Sequence, residues 1–133
     1  MKKFFLTVLC LFLLITLASC NTQDSQYDDN TETDLTWTGT WDTEFSVGDD
    51  FYKSEMILSQ TQNSVTGTYS YESFEGDILA SSEGLTLVGV SIENTYEYPI
   101  EFLMDPSGKS FTGVWYEKEG DSEPIGSWNG TRR

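Results

Sequence analysis

Across residues 36–133 apolar and polar residues alternate in short runs, and a helical spacing of three and four never persists. Aromatic and β-branched residues fill the runs, while clusters of Gly, Asn, Asp, Ser and Pro separate them, as in half-buried strands joined by turns. The pattern predicts about eight strands, near residues 36–45, 52–60, 64–71, 74–80, 85–92, 97–104, 110–118 and 124–131. Turns are expected at Gln62-Asn63, Glu83-Gly84 and Asp105-Pro106-Ser107-Gly108, where glycine can take a positive φ and proline fixes its own. Sequential hairpins of this length give an all-β fold, a single antiparallel meander that loses its exposed edges by closing into a small up-and-down barrel. A β-sandwich is the alternative.

Four segments share a theme. Gly39-Thr40-Trp41, Gly67-Thr68-Tyr69, Gly113-Val114-Trp115 and Gly126-Ser127-Trp128 each place a large aromatic two residues after a glycine. Residues two apart share a strand face, so the glycine is expected to leave room beside the aromatic or to let the strand bend. Residues 58–69 and 103–115 also follow one order of strand, polar turn, Val or Phe, Thr, Gly, one residue and aromatic, consistent with a duplicated hairpin.

These segments resemble the lipocalin and avidin group of up-and-down barrels, whose opening strands often read glycine, small residue, tryptophan and whose later ones read glycine, threonine, tyrosine. The resemblance implies a barrel. Of avidin's ligand contacts only Tyr69 matches, with Thr43 where that family has asparagine and Tyr71 where it has serine. Biotin is therefore not implied.

Residues 1–19 are of another kind. Lys2 and Lys3 precede an almost unbroken apolar run over residues 4–17, a length suited to a secretory signal rather than a membrane span. Leu17-Ala18-Ser19-Cys20 resembles the lipobox of bacterial lipoproteins, which implies cleavage before Cys20 and diacylglycerol on its sulfur. An ordinary secreted protein is the plainer reading. Several acyl chains would anchor the chain stably, each buried methylene contributing about 0.8 kcal/mol. In that family an aspartate after the cysteine tends to mark inner-membrane retention; here Asn21 follows, which implies the outer membrane or cell surface. Residues 20–35 are then a lipidated cysteine and a tether of Asn, Thr, Gln, Ser, Asp and Glu too polar to order itself, and residues 36–133 are the β domain.

Charge narrows the partners. The chain carries a net charge of −15, and losing residues 1–19 removes Lys2 and Lys3 but none of the 22 acids. Such a field repels nucleic acid and anionic headgroups and favours cations, basic proteins or a saline habitat. The expected partners are the lipid bilayer through Cys20, a basic protein or envelope polymer, and a small apolar ligand.

Little catalytic chemistry is available. The chain has no histidine, and Cys10 leaves with the signal while Cys20 is consumed by the lipid. Ser-His and Cys-His pairs, His/Cys zinc sites and disulfides are thereby excluded from the mature domain. No glycine-rich phosphate loop occurs, and no sequence rule selects a pair of carboxylates for glycoside hydrolysis. Asp49-Asp50 and the pair Asp42 and Glu44 are calcium candidates by donor type, against the plainer reading of a solvated acidic turn. No metal, cofactor or catalytic residue is expected.

Trp37, Trp41, Trp115, Tyr116 and Trp128 are the richest aromatic set, and Trp41, Tyr69, Trp115 and Trp128 are the candidate ligand-lining residues. An eight-stranded interior is wide enough to be filled by side chains or to hold one small molecule, and this aromatic bulk favours filling. Asn129-Gly130-Thr131 matches a glycosylation sequon without meaning in a bacterial cell, and is expected to end the last strand. Arg132 and Arg133 are expected to pair with Glu117 or Glu119. The functional expectation is a non-catalytic, membrane-anchored binding module facing the periplasm or exterior, with a carrier or sensor of a small apolar ligand as the alternative.

Overall fold

A computed structural model describes residues 35–133. The expected signal peptide, the lipobox-like residues with Cys20 and all but the last residue of the expected tether lie outside the described residues. The strands are β1 (Gly39–Val47), β2 (Asp50–Thr61), β3 (Ser64–Tyr71), β4 (Phe74–Glu83), β5 (Thr86–Glu93), β6 (Tyr96–Met104), β7 (Ser110–Trp115) and β8 (Gly126–Arg132). Each pairs antiparallel with the next, and β8 returns to β1 in a register running from Trp41 opposite Arg132 to Phe45 opposite Trp128. The meander is thus a closed eight-stranded barrel rather than a sandwich, and every strand edge is paired.

Differences from the expected elements have local causes. Residues 36–38 leave the ladder, because Trp37 turns beneath the barrel end and is fully buried there. Strand β7 stops at Trp115 and β8 starts at Gly126, so a ten-residue connection replaces what the alternation reads as strand on both sides. Asn129 and Gly130 do not end β8 but lie inside it, opposite β1 and β7.

Five connections are two-residue hairpins: Gly48-Asp49, Gln62-Asn63, Glu72-Ser73, Gly84-Leu85 and Asn94-Thr95. Tight hairpins favour turns with positive φ because these match the strands' twist. The turn expected at Glu83-Gly84 lies one residue later, at Gly84-Leu85, where Gly84 supplies the positive φ at 58°, but Gln62, Glu72, Asn94 and Thr95 also take it without being glycine. Thr95, at φ 79°, is the costliest of these because its branched Cβ crowds the backbone.

The interior explains the glycines. Large residues stand directly opposite glycine on the neighbouring strand at Leu58 and Gly67, Tyr69 and Gly76, Phe102 and Gly113, Phe111 and Gly130, and Trp115 and Gly126. A Cβ at Gly76 would stand 2.6 Å from the Tyr69 hydroxyl, and one at Gly130 would stand 2.6 Å from Phe111 Cζ. The sequence theme therefore needs a correction. Each of these glycines makes room for the large side chain across the ladder, Leu58 at Gly67 and an aromatic at the other four, not for the residue two along: Gly113 receives Phe102, while Trp115 lies over Gly126. Residues directly opposite are the closest Cβ pairs in a sheet, so that is where bulk must be relieved.

One end of the barrel is sealed. Trp37 packs on Trp41, Phe102 and Phe111 at ring-centroid distances of 5.9, 6.4 and 5.7 Å, and Phe102 stacks on Phe111 at 4.6 Å. Arg132 closes this end from outside, its guanidinium 4.2 Å from the Trp41 ring centroid. Its Nε donates to Gly108 O at 2.8 Å, and its two terminal nitrogens donate to Thr38 O and Thr36 O at 2.5 Å each. Gln60 completes the seal by accepting from the Trp37 backbone N–H at 2.8 Å. Neither arginine pairs with Glu117 or Glu119 as expected. Arg132 turns inward to backbone carbonyls, and Arg133 reaches across to Asp42 at 2.6 Å and to Glu55.

Candidate ligand cavity

Strand alternation decides which residues can face the interior. On β1 the inward phase is Trp41, Thr43 and Phe45; on β3 it is Val65, Gly67, Tyr69 and Tyr71; on β5 it is Leu87, Gly89, Ser91 and Glu93. Near the middle of the barrel the hydroxyls of Thr43 and Ser54 bond each other at 2.5 Å, so two buried polar groups satisfy one another. Beyond this layer the packing changes. In the sealed half the buried rings of Trp37, Trp41, Phe102 and Phe111 pack on one another, whereas the half towards the β1–β2, β3–β4 and β5–β6 turns opens into a cavity of about 220 Å³.

Phe45, Tyr69, Tyr71, Tyr98, Trp115 and Trp128 wall this cavity, with Val47, Ser91 and Glu93 among them. The rings hold one another. Tyr69 meets Trp128 edge-on at 4.9 Å, Phe45 meets Tyr71 at 4.8 Å, and Tyr98 meets Trp115 at 5.6 Å. Trp115 is also fixed by its indole N–H, which donates to Ser46 O at 2.9 Å across the gap above Gly126. The aromatic wall is thereby largely preformed, as ligand cavities usually are.

Glu93, half-buried at the end of β5, is the one charged lining residue. Its carboxylate accepts from the Tyr69 hydroxyl at 3.1 Å, and from the Tyr71 hydroxyl at 3.1 Å on both oxygens. Burial first, then the negative charge of Glu93, pushes the Tyr69 phenol well above its usual range. Burial and the Glu93 hydrogen bond push Tyr71 up to about 12. Both phenols therefore remain protonated donors to Glu93 at neutral pH.

Of the four candidate lining residues, Tyr69, Trp115 and Trp128 line the cavity. Trp41 does not; it belongs to the sealed half, where its indole N–H donates to Trp37 O at 3.1 Å and Arg132 covers its ring. Tyr116, grouped with the tryptophans by composition, follows Trp115 and so faces the other way, into a hollow outside the barrel with Glu101 and Lys118. Of the calcium candidates, Asp42 is engaged by Arg133, whose hydrogen bond holds its carboxyl below the usual range. Among the described residues no three acidic side chains converge.

Composition alone missed Phe45, Tyr71, Ser91, Glu93 and Tyr98. A signal existed for Glu93. Apart from Asp50 at the rim, Glu93 and Arg132 are the charged residues that occupy the inward phase of a strand, one at each end of the barrel. Such a position costs desolvation and is seldom filled without a partner or a use. No protein-family model matches the chain, and no curated protein matches it in sequence.

Proposed function

We propose that this protein is a non-catalytic lipoprotein of the cell envelope whose barrel captures a small ligand in the cavity beside Glu93. The observation that carries the reading is the contrast between the two halves of one interior. At the sealed end Trp37, Trp41, Phe102 and Phe111 are buried and pack on one another, while similar bulk at the other end stands around about 220 Å³ of open space. Packing of that kind is expected where side chains are selected to line a space rather than to fill it. The lipobox at Leu17-Ala18-Ser19-Cys20 supports anchoring by lipid, and Asn21 supports the outer membrane or cell surface as its place. The absence of histidine from the chain supports binding over hydrolysis.

The test is the native mass of the mature protein, extracted gently from its own membrane and compared with the denatured chain. A small molecule that stays with the folded protein and leaves on denaturation is the expected result. A folded mass equal to that of the lipidated chain alone, together with no saturable ligand binding, would move the function to the acidic outer face and a basic protein or envelope polymer. Cys20→Ser should release the protein from the membrane fraction; retention of that variant would sink the lipid anchor.

A further inference from the structure

Glu93 has an unusual set of neighbours for a half-buried carboxylate. Its hydrogen-bond partners are two neutral phenols. Among the described residues no lysine or arginine lies within ion-pair distance of it: Arg132 is spent on carbonyls at the opposite end, and Arg133 on Asp42 and Glu55 outside the barrel. The charge is held in place but not neutralised. Around it stand the rings of Phe45, Tyr98, Trp115 and Trp128, and the face of an aromatic ring carries the negative side of its π-system. A carboxylate backed by aromatic faces is the arrangement that attracts an organic cation.

We propose that the cavity takes a small organic ammonium ion, its positive charge against Glu93 and its alkyl groups against the aromatic wall. This rests on the ligand-binding reading above and narrows it. The alternative classes fare worse in this cavity. An anionic ligand would meet Glu93 and a strongly acidic protein, and a purely apolar one would strip water from the carboxylate without supplying a counter-charge. Size limits the cation as well. The volume corresponds to roughly seven waters at ~30 Å³ each, room for a choline-sized molecule but not for a long chain. A carboxylate has about four acceptor positions, so capacity remains beyond the two tyrosines. The acidic exterior concentrates cations at the mouth.

The experiment titrates the mature, detergent-solubilised chain with choline and with its neutral isostere 3,3-dimethylbutan-1-ol, following tryptophan fluorescence, at low and high salt. Choline should bind saturably, one per chain, at least about tenfold tighter than the alcohol, with a preference that persists at high salt. Glu93→Gln should abolish the preference, whereas Glu83→Gln, an equal change of charge at the sealed end, should preserve it. Equal binding of choline and the alcohol to the unaltered protein would overturn the cation proposal while leaving a ligand cavity. Binding of neither would overturn both. A preference that vanishes at high salt, or equally in both variants, would reduce the effect to attraction by the acidic surface and would also overturn it. The comparison of the two ligands on the unaltered chain stands even where a variant fails to fold.

Discussion

Gly130→Ala places one methyl group where the structure leaves no room for it. Its Cβ would stand 2.6 Å from Phe111 Cζ, 3.0 Å from Cδ1 and closer still to Cε1. The ring cannot swing aside, since Phe102, Trp41 and Trp37 hold it at centroid distances of 4.6, 5.3 and 5.7 Å. Overpacking of a fixed core typically costs ~1–3 kcal/mol, and a boxed-in ring belongs at the top of that range, about 2–3 kcal/mol. For a domain of this size each kcal/mol moves Tm by roughly 4–8 °C, so a fall on the order of 10–20 °C is expected in a calorimetric or circular-dichroism melt. The double mutant supplies the sharper check. Phe111→Leu alone should cost up to about 1.5 kcal/mol, but in combination it removes the obstacle, so the pair should be at least ~1 kcal/mol less damaging than the sum. Gly84→Ala is the control: nothing lies within 4 Å of its Cβ, and its φ of 58° alone should cost about 1 kcal/mol. A loss below ~0.5 kcal/mol for Gly130→Ala, or strict additivity with Phe111→Leu, would refute the view that glycine opposite an aromatic is a packing requirement here.

Arg132→Met should destabilise by about 2–4 kcal/mol in urea, through three charge-assisted hydrogen bonds and a ring contact discounted for partial exposure. Arg132→Lys should recover only part, since a point charge cannot reach three carbonyls; full recovery would count against the clamp. Thr95→Gly should gain roughly 0.5–1 kcal/mol by relieving a branched residue at φ 79°, and a lower urea midpoint would contradict this. The phenols of Tyr69 and Tyr71 have raised pKa values in the folded state, so their contribution is complete below pH 10 and is lost as pH rises through about 12 for Tyr71. Urea midpoints should therefore fall across that window, and absorbance at 295 nm should show a late-ionising class that Glu93→Gln shifts part of the way down; one step near pH 10 for all tyrosines would refute it.

The barrel was legible because alternation is a local property: each run of apolar and polar residues marks a strand, and short connections force neighbours to pair. The ends of strands were less legible where tertiary packing overrides the pattern. Trp37 continues the alternation of β1 but turns under the barrel, because a buried indole against three rings outweighs one more ladder step. Gly39-Thr40-Trp41 and Gly126-Ser127-Trp128 look alike in sequence, yet Trp41 joins the seal and Trp128 the cavity wall. Their difference lies in height along the barrel axis, which depends on the stagger of eight strands and not on any local motif. Glu93 was readable in principle from its inward phase, but only once the register of β5 was known.

The Arg132 clamp also gives the barrel a front and a back. It binds residues 36–38, which lead into β1, to the end of β8, so the first and last described segments of the barrel meet at the sealed end. The mouth, framed by the turns after Val47, Tyr71 and Glu93, is at the opposite pole. A fluorophore, an affinity handle or a solid support can therefore be joined to either terminus of the domain without shading the opening. Attachment close to Thr36 or to Arg132 would leave the cavity at the pole of the barrel away from the attachment.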